Sequence, residues 1–136
     1  MKNLLLILLL FLALACREPR VSETFIRGDG PFVFSVDMSD STAAYSFDIY
    51  SRVDRQRASG ELRLLMRWRS PQEAEFRETV YLPLKGHTSF FSSEAYAPYR
   101  ADVRPSVPGV WTLTVSMPDL QREGLRGMGL VVRKSE

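Results

Sequence analysis

From residue 32 onward the chain alternates apolar and polar side chains, the period expected of strands with one buried face. Phe32, Phe34 and Val36 share one face, with Val33 and Ser35 on the other. Tyr45, Phe47, Ile49, Ser51 and Val53 follow in the same way, opposite Ser46, Asp48, Tyr50 and Arg52. Leu62, Leu64, Met66 and Trp68 then point inward, while Glu61, Arg63, Arg67 and Arg69 point outward. Phe76, Val80 and Leu82 are set against Arg77, Thr79 and Tyr81, and Pro83 closes that strand or places it at an edge. Trp111, Leu113, Val115 and Met117 alternate with Val110, Thr112, Thr114 and Ser116. A last strand runs through "LRGMGLVVRK", where Gly127 and Gly129 predict a bulge or a close backbone approach.

Between these runs lie turn-forming residues: "RQRASG" at 55–60, Pro71, and the polar stretch 119–124. Strands at regular spacing with no long amphipathic helical pattern predict an all-β domain. The expected architecture is an antiparallel β-sandwich, jelly-roll or immunoglobulin-like, with about six to eight strands.

The N-terminus follows a different pattern. Lys2 precedes the uncharged residues 4–15, twelve in all, and Cys16 follows directly. A spanning helix takes about 20 apolar residues, whereas the apolar region of a secretory signal takes about 7–15. Ala13-Leu14-Ala15-Cys16 resembles a lipobox, relaxed in the manner of Bacteroidetes lipoproteins because Ala13 stands where leucine is commonest. Acylation would consume the only cysteine of the chain, which cannot form an internal disulfide. The expected organisation is a lipoprotein signal peptide at 1–15, a lipidated cysteine and tether at 16–30, and a sandwich domain at 31–136. Two or more acyl chains would anchor the protein stably to a membrane without spanning it. Arg17 is not the aspartate associated with inner-membrane retention, which tilts the expected location toward the outer membrane of a cell envelope.

Charge adds little. The formal net charge is +2, with acids and bases interleaved and no polybasic run, so nucleic acid is not an expected partner. Arg63, Arg67 and Arg69 read as the solvated face of their strand, with an anionic partner as the alternative. "RGD" at 27–29 reads as a turn in which Gly28 and Gly30 supply flexible dihedrals, rather than as an adhesion motif.

Candidate chemistry is sparse. His87, near Ser89, Ser92 and Ser93, is the sole histidine, and no "GxSxG" elbow accompanies it. No set of residues supplies nucleophile, base and orienting group together, so an enzyme is not expected, nor is a cofactor. Asp37 and Asp40 could offer oxygens to calcium, but the same residues suit an acidic turn. The aromatic stretch "FFSSEAYAPYR" carries Phe90, Phe91, Tyr96, Tyr99 and Arg100. Its readings are core packing, a surface for a protein partner, or a glycan platform in which Tyr96 and Tyr99 would be coplanar.

Two stretches resemble the gliding-motility lipoproteins of the GldH type. "YSFDIYSRV" at 45–53 is similar to their alternating strand ending near an arginine. "GVWTLTVSMPDLQREGLRGMGLVV" at 109–132 is similar to their C-terminal Gly-x-Trp strand, polar connection and closing glycine-containing strand. The segment at 55–60 departs from the aromatic, asparagine-containing stretch usual after the arginine strand. The resemblance implies a non-enzymatic accessory lipoprotein of the envelope, tied to gliding or a related secretion assembly. Such a protein would work through an envelope protein partner, with a carbohydrate-binding surface lipoprotein as the alternative.

Overall fold

The computed structural model describes residues 2–15, 20–54, 61–83, 92–118 and 124–135. One helix, α1 (Lys2–Ala15), precedes eight strands. They are β1 (Val21–Arg27), β2 (Phe32–Met38), β3 (Ala44–Asp54), β4 (Glu61–Arg69), β5 (Glu75–Pro83), β6 (Ser92–Val103), β7 (Gly109–Ser116) and β8 (Leu125–Ser135). They form two four-stranded antiparallel sheets, in the orders β1-β8-β3-β6 and β2-β7-β4-β5. The pairs β1:β8, β2:β7, β3:β6 and β4:β5 are nested one inside the next, which is the winding of a jelly roll. Only β4 and β5 are sequence neighbours within one sheet. Their hairpin is closed by the Ser70 hydroxyl, which accepts from the Gln72 and Ala74 amides at 3.2 and 3.0 Å.

The predicted alternation sets the core. Phe32, Phe34, Val36 and Met38 are buried along β2 while the residues between them are exposed, and β4 repeats that pattern. These side chains meet Phe47, Ile49, Leu113, Val115, Met128 and Leu130 between the sheets. Burying one such side chain contributes roughly 1.5–3 kcal/mol of apolar transfer free energy, so the inward faces of the strands supply the main cohesion.

Three features differ from the sequence reading. Residues 21–27, expected within a tether, are β1, paired with β8 from Val21↔Arg133 to Arg27↔Gly127. This edge strand is exposed over most of its length and held mainly by its backbone ladder, so it carries little burial signal. Secondly, residues 92–103, given no element in the sequence reading, form the long edge strand β6.

Thirdly, Tyr50 belongs to the outward face of β3 and is nonetheless buried. Its ring lies over Gly129 and Phe25 lies over Gly127, where any Cβ would overlap the aromatic rings. Phe25 and Tyr50 are stacked nearly parallel, at 5.9 Å and 8°, and Tyr50 donates a hydrogen bond to Glu23. The two glycines are thus the close approach that the sequence predicted.

The "RGD" segment is the turn between β1 and β2, with φ of 121° at Gly28 and 90° at Gly30. The Gly28 amide donates to the Arg126 carbonyl at 3.0 Å. Helix α1 stops at Ala15, directly before Cys16, and its leucines from Leu4 to Leu8 are exposed. Among the described residues no helix is long and apolar enough to cross a membrane.

Candidate functional site

A β-bulge in β6 brings Arg100 beside Tyr99. Asp48 pairs with Pro98 and Phe47 with Arg100, so Tyr99 is an extra residue in the ladder. Alternation turns Tyr99 toward the opposite sheet, and the bulge lets Arg100 reach the same side. There the Trp68 indole Nε1 donates to the Tyr99 hydroxyl at 2.9 Å, and the two rings stack at 6.4 Å and 9°. The Tyr99 hydroxyl in turn donates to Glu78 on β5. Arg100 holds the same carboxylate with two nitrogens, its Nε donating at 3.1 Å to Oε1 and a terminal nitrogen to Oε2. A two-pronged arginine–carboxylate pair adds geometric definition as well as energy.

The electrostatics follow from this contact. Burial, and then donation to Glu78, push the Tyr99 phenol up to about 12, so it remains a neutral donor through the physiological range. Burial works to raise Glu78, but the bonds from Arg100 and Tyr99 outweigh it and hold the carboxyl below its usual range. Donation to Glu78 and contact with Tyr99 raise Arg100. The network ties edge strand β6 of one sheet to edge strand β5 of the other.

Beside it opens a cleft of about 320 Å³ at one end of the jelly roll, walled by Phe47, Trp68, Phe76 and Trp111 with Arg100 and Arg104 at its rim. Phe76 is 50% exposed, and the Arg100 guanidinium lies 5.5 Å from its ring centre. The Trp111 indole donates to the Val107 carbonyl at 2.9 Å, so both indole N–H groups are satisfied. Arg104 makes one hydrogen bond among the described residues, at 3.4 Å to the Thr42 carbonyl. A concave, mostly aromatic cleft rimmed by guanidinium groups suits an apolar group that carries an acid beside it.

Tyr96 lies elsewhere. It stands on the outer surface of the first sheet, stacked on Tyr50 at 6.1 Å and 15°. It donates to Asp48 at 2.5 Å and accepts from Arg133 at 3.2 Å. The expected pairing of Tyr96 with Tyr99 in one groove is therefore corrected: they are three residues apart, and the strand's alternation puts them on opposite faces of β6. Asp37 and Asp40, the residues offered for calcium, are engaged within their own turn. Asp37 accepts from the Ser39 amide at 3.0 Å, and Asp40 accepts from the Thr42 amide and hydroxyl at 2.9 and 2.7 Å. The Lys134 ammonium lies 3.2 Å from Asp40, and Thr42 and Lys134 together hold the Asp40 carboxyl at about 2.

Phe90, Phe91, His87, Ser89 and Cys16 lie outside the described residues. Trp68, Phe76, Glu78, Arg104 and Trp111 were not read as site residues from the sequence. One signal was available: Glu78 shares the inward parity of Phe76, Val80 and Leu82, and a carboxylate on an inward face calls for a partner. Comparison of the chain with protein-family models, with curated proteins and with solved structures finds no match.

Proposed function

We propose that this chain is a lipid-anchored accessory protein of a bacterial cell envelope, non-enzymatic, which docks a partner protein through the aromatic cleft at the Trp68–Arg100 end of its jelly roll. The observation that carries this reading is the cleft itself. A half-exposed Phe76 and two tryptophans sit beside Arg100 and Arg104, the residue types that dominate buried anchor points of protein interfaces. The Glu78–Arg100–Tyr99–Trp68 network braces its wall, so the site would be formed before the partner arrives.

The anchoring half of the reading rests on the N-terminus. Helix α1 has 14 residues, about 21 Å at 1.5 Å each, against a hydrocarbon core of about 30 Å. It ends directly before Cys16. The GldH-type likeness of residues 45–53 and 109–132 points to a gliding or secretion-related assembly, most plausibly at the outer membrane. The glycan alternative at Tyr96 and Tyr99 loses its geometric support, because the two rings share no groove.

The test is purification of the lipidated protein from its native envelope after mild cross-linking. One stoichiometric protein should accompany it, and Phe76→Ala with Arg104→Ala should abolish the association. Recovery of the same protein with the double variant contradicts docking at this cleft.

A further inference from the structure

The outer face of the second sheet carries a second feature, unrelated to the cleft. Successive residues of a strand point to opposite sides, so Arg67 faces solvent where its neighbour Trp68 faces the core. The strand registers place Val33, Thr114, Arg67 and Arg77 in one row across β2, β7, β4 and β5. Arg67 and Arg77 are directly opposite one another on adjacent strands. Two like charges in that position repel, their Cβ atoms being about 5 Å apart.

Local acids relieve the pair only in part, and chiefly at Arg77. Glu75 is shared between Arg69 at 3.3 Å and Arg77 at 3.1 Å, and Arg69 also reaches Glu73 at 3.6 Å. Arg67 has no acid within ion-pair distance among the described residues. The Arg77 side chain is 71% exposed. Around the two guanidiniums lies a shallow groove of about 550 Å³ lined by Pro31, Leu65, Met66, Thr79, Thr114 and Ser116, with Glu78, whose carboxylate is held by Arg100, also in its wall.

We propose that this face binds an acidic polysaccharide, Arg67 and Arg77 together taking a sugar carboxylate while Thr79, Thr114 and Ser116 hydrogen-bond to the adjacent ring hydroxyls. Planar guanidinium groups match a carboxylate with two parallel hydrogen bonds, and two of them held in register define where it sits. The ligand's charge supplies what the protein leaves out at Arg67. Three hydroxyls lie beside the guanidiniums and no aromatic side chain is among the described residues lining the groove, which favours a hydrated polyol over a protein, because the centre of a protein interface is depleted in serine and enriched in large aromatics. Tyr81 stands exposed two residues beyond Thr79 on the same face of β5, where its ring can stack on a sugar further along the chain.

The experiment measures binding of the purified full chain, in detergent, to polygalacturonate at low salt. The controls are its fully methyl-esterified, neutral form and polyglutamate. The chain should bind polygalacturonate at least about tenfold more tightly than either control. Arg67→Gln and Arg77→Gln should each weaken it by about tenfold, the scale of one charged hydrogen-bonding group. Arg27→Gln removes the same charge from the other sheet and should change binding by less than about twofold. Thermal unfolding keeps the reading sound, since Arg67→Gln removes a repulsion and should melt no lower than the native chain. Equal binding of polyglutamate, or of the esterified polymer, overturns the proposal. So does an Arg27→Gln loss as large as that of Arg67→Gln, or no binding at all. None of these outcomes depends on the lipid anchor or on a protein partner at the cleft.

Discussion

The Trp68 indole and the Tyr99 hydroxyl meet at 2.9 Å across the gap between two sheets that are not paired along this side. Tyr99 accepts from Trp68 and donates to Glu78, so one oxygen satisfies a nearly buried indole N–H and a half-buried carboxylate. Tyr99→Phe keeps the ring and removes both bonds. Leaving such a donor unpaired costs about 1–3 kcal/mol, and denaturant unfolding should show a loss of that size. Combined with Glu78→Gln, the losses should be non-additive by more than about 0.5 kcal/mol.

The same phenol predicts an alkaline transition. Its folded value of about 12 lies above the ordinary 10.0, so between those values the folded state holds a proton that the unfolded state has released. Stability from Tyr99 is therefore fully present below pH 10 and is lost as pH rises toward 12. Absorbance titration should show one tyrosine ionising late, together with unfolding, and Tyr99→Phe should remove that phase.

Acid acts through Asp40. Its folded value of about 2 lies below the ordinary 3.8, so the unfolded state binds the proton first as pH falls. Its contribution is present above pH 4 and disappears on the way to pH 2. Glu75 and Glu78, both lowered by arginine partners, act in the same direction. Asp40→Asn should flatten the slope of melting temperature against pH between 4 and 2 and leave the slope above pH 5 unchanged.

Gly129 is the floor beneath Tyr50. Gly129→Ala should destabilise the domain by about 1–3 kcal/mol through overpacking. Tyr50→Ala in the same chain removes the obstruction, so the double variant should lose less than the sum of the two single changes. Additive losses would show that the ring does not rest on the glycine.

If Cys16 carries lipid, growth with an alkyne-tagged fatty acid should label the native chain, and Cys16→Ser should abolish the label. Labelling of Cys16→Ser would place the modification elsewhere.

Legibility from sequence depended on one-sided burial. The strands from β2 to β5, and β7, showed themselves because each buries alternate residues on a single core; Val36 and Leu64 are typical. Edge strand β1 did not, since Ser22 and Thr24 occupy its inward positions and backbone pairing alone holds most of it. Strand β6 was obscured by its bulge: alternation holds from Tyr96 to Tyr99, and the extra residue then brings Arg100 to the side of Tyr99. That single irregularity builds the cleft, and local alternation carries no trace of it. The two glycines were legible as a close approach, but the rings they admit come from strands far away in the chain.

The most direct measurement replaces Phe76 with a photo-cross-linking phenylalanine in the native envelope, with the same replacement at Tyr96 as the comparison. Docking at the cleft predicts one envelope-protein adduct from position 76, lost on adding Arg104→Ala, and none from position 96 on the other side of β6. Equal adducts from both positions, or an adduct at 76 indifferent to Arg104→Ala, would contradict the cleft as the docking site.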